Sequence, residues 1–211
     1  MTHPKCLELK QRCYVQAGGV RRLALAALDD AFGGDPPLSR LPLFRSVPAE
    51  RVALVRQMIR SGLNAPAAHG AGRLFDAAGA AVLSRGVSGY EGQVAVALDN
   101  AADPAERGRY PFAVDQSADP WRLDWRPLLR ALVEALPAGA GPSRVAARFH
   151  ESLAAAAGEM VRAGAARRGC RSRPPSAWRR VWTCSTGWAP RSAVASPSPA
   201  WARPSAARWI G

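Results

Sequence analysis

The stretch SGLNAPAAHGAGRLFDAAGAAVLSRGVSGYEGQ, residues 61–93, contains a glycine-rich turn that leads into a helix. Pro66 keeps the residue before it out of the helical region, so the segment from Asn64 is predicted to be extended. Gly70 and Gly72 then permit unusual backbone angles and let the main chain approach a ligand closely. This turn is the first place in the chain that is suited to a binding site.

A helix is predicted from Arg73, because apolar residues then recur at helical spacing. The face that they form consists of Leu74, Phe75, Ala78, Val82 and Leu83. Asp76 is placed in the first turn, where a carboxylate suits the positive end of the helix dipole. A glycine turn that opens a helix leaves free N–H groups, which suit an anion or a nucleotide. Taken alone, the same pattern also fits an ordinary loop at a helix start.

Hydrophobic periodicity gives the remaining elements. Helices are predicted over 20–32, 50–61, 73–85, 89–101, 125–136 and 143–164, with one short strand at 110–114. Gly62 is the expected C-terminal cap of the second helix. This helix is predicted to bury Val52, Leu54, Val55, Met58 and Ile59 and to point its arginines outward, and the sixth helix to bury Phe149, Leu153, Ala156, Met160 and Val161. His150, beside Phe149, is expected to be packed or capped rather than catalytic. Ser88 and Glu91 have the spacing of a capping box for the fourth helix, and Asp124 is expected to cap the fifth.

Several motifs keep an order and spacing that one family shows. They are GLNAP at 62–66, GRLFDA at 72–77, SGYEGQ at 88–93, DPAE at 103–106, YPF at 110–112, DWRPLL at 124–129 and AARFH at 146–150. Over roughly residues 18–164 the chain resembles the hydrogenase maturation carbamoyltransferases (the HypF family), in their C-terminal Kae1-like domain. Two features depart from the family pattern. His69-Gly70 replace a pair of serines, and the chain from Ala165 onward does not match.

The resemblance implies a fold and an activity. We expect a chain that is mostly α with minor β, an incomplete α/β lobe of an actin/Hsp70-like (Kae1-like) domain. The family uses ATP and carbamoyl phosphate to make a carbamoyl-adenylate. It then carbamoylates the C-terminal cysteine of a partner protein in nickel-iron hydrogenase maturation.

The resemblance also implies which residues bind the nucleotide. Gly72 is expected to lie against it and Asp76 to face its ribose, although Asp76 also fits a solvated acid of the first turn. Asn64 is expected to orient a base or the carbamoyl group through its amide, or else to cap the following turn. Arg73 is expected to meet a phosphate or to pair with a nearby acid. No catalytic residue and no metal ligand are assigned in this chain.

The metal sites of the full-length family have no counterpart in the sequence. The family's iron site uses an H-x-x-x-H pair and an aspartate in N-D-G-G, whereas this chain has only His3, His69 and His150. The four cysteines form no C-x-x-C pair, so zinc ligation is not expected and the thiols are predicted to be free. The zinc-finger, acylphosphatase-like and YrdC-like portions are also absent. We therefore expect the chain to need the remainder of the enzyme and to be inactive alone.

The positive charge is concentrated at one end of the chain. The formal net charge is +13, and residues 165–211 contain nine arginines and no acid, which leaves +4 for residues 1–164. This tail also holds five of the seven tryptophans and six prolines, without a persistent period. Such composition indicates a disordered or non-native segment, and it is what a GC-rich gene yields when its frame shifts near Ala165. We thus predict an unmatched segment at 1–17, a partial Kae1-like domain at 18–164 and this tail at 165–211.

Two other functions stay open. Arginines interleaved with tryptophans can contact phosphates and stack on bases, so the tail is compatible with a basic nucleic-acid-binding module. The mild charge of the body makes nucleic acid the less favoured partner. The third possibility is an inert helical interaction fragment. Without a run of about 18 apolar residues or a secretory h-region, we expect no membrane partner and a cytoplasmic location.

Overall fold

The computed structural model describes residues 11–12, 19–65, 67–68, 70–117 and 121–167. All of them belong to one compact unit, residues 1–170. The segment predicted at 1–17 and the tail predicted at 165–211 lie almost wholly outside the described residues.

Helices dominate the described part of the chain. In order, its elements are β1 (Gln11–Arg12), α1 (Val20–Ala31), α2 (Ala49–Ser61), β2 (Ala67–Ala68), α3 (Ala71–Leu83), α4 (Gln93–Ala101), β3 (Ala113–Asp115), β4 (Arg122–Asp124), α5 (Arg126–Ala135) and α6 (Pro142–Arg167). Two single 3-10 turns, Leu38–Arg40 and Pro42–Phe44, connect α1 to α2. The strands form two antiparallel pairs, β1 with β2 and β3 with β4. The expectation of a mostly α fold with minor β is confirmed.

The core is centred on α1 and α3, which pack against each other. Residues 23–28 of α1 and residues 76–82 of α3 are all buried, the pattern of helix segments enclosed by neighbours. In α1 the buried residues are Val20, Leu23, Ala24, Leu25, Ala26, Ala27, Leu28 and Ala31. For α3 the prediction of one apolar face was too narrow, because its small alanines let neighbouring elements cover the other sides as well. Around this centre, α4 packs on α3, while α5 and α2 pack on α1.

Helix α2 lies on the outside of the core. None of its side chains is buried, and Leu54, predicted to face inward, is 57% exposed. Val52 and Val55 pack against the core. Arg56, predicted to face outward, instead holds Asp29 of α1 through two hydrogen bonds of 3.0 and 3.1 Å.

The ends of α2 and α4 differ in how well they were predicted. Gly62 ends α2 in the left-handed region, with φ of 72°, as expected of a C-terminal cap. The capping box of Ser88 and Glu91 that we predicted for α4 was wrong. Helix α4 begins only at Gln93, whose Oε1 accepts the backbone N–H of Gly89 at 2.7 Å. Glu91 is therefore free to pair with a different helix.

The second half of the domain has one strand that the sequence did not indicate. The strand predicted at 110–114 is found at Ala113–Asp115, and β4 pairs with it over three residues. This partner is too short and too polar to give an alternating pattern. Asp124 lies one residue before the N-cap position of α5, which Trp125 occupies, so the predicted cap was displaced by one residue; Oδ1 of Asp124 still accepts the N–H of Arg126, the first residue of α5, at 3.0 Å.

Helix α6 closes the core with Phe149, which meets Phe75 of α3 edge to face at 5.1 Å between ring centroids. It extends to Arg167, beyond the predicted end at 164. Val161, predicted to be buried, is 53% exposed. Within the described ranges, no helix has both the length and the apolar character needed to cross a bilayer.

Gly79 tests the close packing of α3 on α4. A Cβ at this position would lie 2.7 Å from Cγ1 of Val94 and 2.9 Å from its carbonyl oxygen. The helices would have to separate, so Gly79→Ala should lower the free energy of unfolding by about 1–3 kcal/mol. Urea unfolding followed by circular dichroism measures this change.

Gly158→Ala in α6 is the matched control. Its Cβ would meet only the flexible end of Arg162, at 3.4 Å. Alanine is the better helix former, so this variant should gain about 0.5–1 kcal/mol. Equal effects of the two substitutions would contradict the packing described for α3 and α4.

Candidate functional site

The start of α3 is open to solvent. Gly70 precedes the helix with an extended backbone, and its carbonyl accepts the N–H of Arg73 at 3.2 Å. Gly72 lies in the first turn and is exposed, and a Cβ there would meet nothing within 4 Å. Neither glycine has a positive φ, so the unusual backbone angles that we predicted are not used. What glycine contributes here is the lack of a side chain above the helix end.

Asp76 lies deeper than the sequence indicated. Helix α3 begins at Ala71, two residues earlier than predicted, which places Asp76 beyond the first turn. Its exposure is only 4%, so the alternative of a solvated first-turn acid was wrong. The first turn contains no acidic residue, and no side chain within the described ranges caps it. The positive end of the α3 dipole is therefore not neutralised locally.

Arg73 bridges two carboxylates of different exposure. Its Nη1 lies 3.1 Å from Oδ2 of Asp76, whose side chain is 5% exposed. Its Nη2 pairs with Oε1 of Glu91, whose side chain is 80% exposed. The guanidinium thus connects the interior of α3 to the loop that leads into α4.

The carboxyl group of Asp76 loses its proton less readily than an ordinary aspartate does. Burial raises the pKa of Asp76, and this effect outweighs the Arg73 guanidinium and the backbone N–H of Ala95, which both lower the pKa. The nearby Glu91 carboxylate raises it further. Oδ1 of Asp76 makes no hydrogen bond of standard geometry within the described residues. A buried acceptor with unused capacity is unusual in a protein interior and is found at functional sites.

The remaining candidate, Asn64, is on a separate segment. It follows the end of α2, is exposed, and adopts a positive φ of 50°. Its side chain makes no hydrogen bond to a described residue. The structure therefore brings Gly72, Arg73 and Asp76 together on one helix and leaves Asn64 on the preceding turn. His69 lies outside the described residues.

Glu91 is the site residue whose position the sequence did not reveal. Its spacing from Ser88 predicts a residue of a helix start, whereas Glu91 pairs with Arg73, eighteen positions earlier in the chain. Periodicity and capping rules describe neighbours along the chain, so neither predicts such a contact. On the same loop, Val87 and Tyr90 are 70% and 61% exposed.

The described residues do not fit the iron or zinc site of the full-length family. They contain no group of three or more His, Cys, Asp or Glu side chains that is able to hold a metal ion. His150 is packed against Phe75 and Phe149, and its Nδ1 lies 2.7 Å from the carbonyl oxygen of Ala146. Its Nε2 is 3.5 Å from Oδ1 of Asp99. This environment is that of a packed histidine, as we had predicted from its place beside Phe149.

The pH dependence of stability tests the environment of Asp76. Its folded-state pKa is raised above the ordinary 3.8, so the folded chain keeps this proton to higher pH than the unfolded chain. The unfolding free energy of the parent should therefore fall as pH rises from about 3.8 through the folded-state pKa, relative to Asp76→Asn. The variant-minus-parent difference, from denaturation at a series of pH values, should become more positive across this window.

Asp124→Asn provides a control of opposite sign. Hydrogen bonds from the Arg126 side chain hold the pKa of Asp124 below 3.8. Stability from this group is present above pH 3.8 and is lost as pH falls through its folded-state pKa. The variant-minus-parent difference for Asp124→Asn should become more negative with rising pH. A slope of the same sign for both variants would contradict the burial of Asp76.

The chain is similar to known carbamoyltransferases in sequence. The family model "Carbamoyltransferase, Kae1-like Domain, second subdomain" matches residues 16–172. Carbamoyltransferase HypF2 of Cupriavidus necator is 33% identical over 158 residues, which is 64% of this chain and 19% of that protein. Carbamoyltransferase HypF of Rhodobacter capsulatus is 37% identical over 127 residues, which is 58% of this chain and 16% of that protein.

A solved structure shares the fold. The crystal structure of full-length HypF in the phosphate- and nucleotide-bound form has a TM-score of 0.67 and 20% identity. The match covers 78% of this chain and 25% of that one. The chain thus spans less than a fifth of the length of the two curated relatives. Since the family model covers most of its 211 residues, the chain belongs to the carbamoyltransferase Kae1-like domain family, in the second subdomain.

Proposed function

We propose that this chain forms one wall of a nucleotide site in a carbamoyltransferase of nickel-iron hydrogenase maturation. The observation that carries the proposal is the open helix end at Gly72, on the same helix as the buried acceptor Asp76. A nucleotide needs both a surface that its phosphates can approach and an acceptor for its ribose hydroxyls. Helix α3 offers these two features less than two turns apart.

The phosphates are proposed to meet the N-terminal end of α3. Backbone N–H groups of a first turn point outward and combine with the helix dipole to favour an anion. No acid lies in this turn itself, but the Glu91 carboxylate lies beside it in its pair with Arg73 and competes with an incoming anion. Arg73 can contribute a direct contact only if the phosphate replaces Glu91, because the guanidinium is already engaged by two carboxylates. Glu91 is exposed enough to be displaced without unpacking the core.

The ribose is proposed to bind Asp76. Oδ1 of its carboxylate is enclosed by the protein, so a ribose hydroxyl would reach it only after the side chains that cover it move; it would then accept a hydrogen bond from that hydroxyl. Arg73 then keeps the other oxygen in place. Asn64, on the preceding turn, is proposed to orient the base or the carbamoyl group through its amide.

The reaction proposed for the whole enzyme follows its family. Carbamoyl phosphate would lose phosphate to give carbamate, and a carbamate oxygen would displace pyrophosphate from ATP to give carbamoyl-adenylate. The thiol of the C-terminal cysteine of a partner maturation protein would then attack the carbamoyl carbon and displace AMP, in the cytoplasm. The names of the two relatives, and the nucleotide bound to the protein of similar fold, support this assignment. The residues described here would bind and orient the nucleotide. Iron, zinc and the remaining catalytic groups would be supplied by other parts of the enzyme.

Gly72→Leu tests nucleotide contact without testing the fold. Because open space surrounds a Cβ at this position, the substitution should leave the unfolding free energy unchanged or raised. The added side chain would cover the helix end, so the affinity for ATP should fall about tenfold or more, a loss of about 1.4 kcal/mol. Calorimetric titration of the full chain with ATP measures this affinity.

Gly164→Leu is the control, since a Cβ in that part of α6 also meets nothing within 4 Å. It should bind ATP as the parent does. Equal affinities of Gly72→Leu and the parent would contradict the proposed contact, as would the lack of any saturable ATP binding.

The chain by itself should not turn over carbamoyl phosphate. It is proposed to contribute binding groups only, and the described residues contain no group of side chains that could hold a metal ion. The purified chain, incubated with ATP and carbamoyl phosphate, should release phosphate only at the rate of a protein-free sample. ATP-dependent release above that rate would show that the missing parts are not required.

A further inference from the structure

Helix α2 is distinguished from the other described helices by its lack of any buried side chain. Each of the other five buries at least two. Its attachment to the core consists of Val52 and Val55, together with the ion pair between Arg56 and Asp29. A helix attached in this way leaves most of its surface available for contact with another molecule.

Beside α2 lies an open groove with an apolar floor. We call it the α2 groove, and its lining residues are Leu38, Ala49, Val52, Ala53, Arg56 and Arg60. Its volume is about 400 Å³. The four apolar residues form a surface that small protruding side chains can fill, and the two arginines stand on the last turns of α2. A concave apolar surface of this size fits a short segment of a protein partner.

The charged residues that line the groove are both arginines, Arg56 and Arg60, and its lining contains no acid. Arg56 is committed to Asp29, whereas Arg60 is exposed and forms no ion pair with a described residue. Complementary charge steers association and suppresses wrong partners. The surface therefore favours a segment that carries carboxylates.

Two other classes of occupant fit less well. Single-stranded nucleic acid is bound largely through aromatic rings that stack on bases, and no aromatic side chain lines the groove. A duplex needs several basic side chains on its phosphates, whereas of the two lining arginines Arg56 already pairs with Asp29. An anionic membrane is met by a convex apolar face, whereas this surface is concave. We propose that the α2 groove docks an acidic amphipathic helix of a partner protein, with apolar side chains on its floor and carboxylates against Arg60. This proposal is independent of the nucleotide site on α3.

The test uses a fluorescein-labelled peptide with leucines at i, i+3, i+4 and i+7 spacing and glutamates elsewhere. A peptide of identical composition in scrambled order is the reference, because the arginine-rich tail will attract both peptides equally. Fluorescence anisotropy with the full 211-residue chain should show the patterned peptide binding about tenfold more tightly than the scrambled one.

Variants locate the binding. Ala53→Glu and Arg60→Glu should each remove this tenfold preference, because one blocks the floor and the other reverses the charge at the edge. The controls are Ala157→Glu and Arg162→Glu, which change exposed residues of α6 in the same way and should keep the preference. Circular dichroism establishes that all four variants fold.

Three results with the peptides would overturn the proposal. They are equal binding of the patterned and scrambled peptides, a preference that survives both groove variants, and a preference that the α6 variants also lose. Vesicles of phosphatidylglycerol provide the last comparison. If the vesicles displace the patterned peptide from the parent chain and bind the Ala53→Glu variant more weakly than the parent, the groove is a lipid-binding surface. The proposal of a protein partner is then wrong.

Discussion

The burial of α3 between α1 and α4 is the constraint on which the rest of the domain depends. Its alanines and Gly79 let the neighbouring helices approach closely, and this approach encloses every side of α3 beyond its first turn. Asp76 is enclosed with them, which raises its pKa and requires a partner. Arg73 supplies that partner from one turn earlier on the helix. The candidate site is thus a consequence of how the core packs.

The same constraint explains why the site has one fixed side and one exposed side. The buried side is Asp76 with its Arg73 partner, held by the packing of α3. The exposed side is Glu91, on a loop that α4 leaves uncovered because this helix begins late, at Gln93. Between them is the open first turn at Gly72. In the proposed complex the phosphates would meet the open first turn and the exposed loop, while Asp76 lies enclosed beneath them.

Much of this architecture could be predicted from the sequence, since α1, α3, α5 and α6 have strong apolar periodicity and lie within a few residues of their predicted ends. The family motifs identified the fold that the comparisons then confirmed. The failures have a common physical cause. The exposure of Leu54, the burial of Asp76 and the contact between Arg73 and Glu91 each depend on which distant element lies opposite, and local patterns do not contain that information.

The central claim is that a nucleotide lies against the first turn of α3, and chemical-shift mapping tests it most directly. Backbone amide signals of the ¹⁵N-labelled chain are followed during titration with ATP. The account predicts that the largest shifts occur at Ala71 and Gly72, with smaller ones at Asp76 and Glu91. Shifts confined to other elements, with these four amides unchanged at saturation, would contradict it.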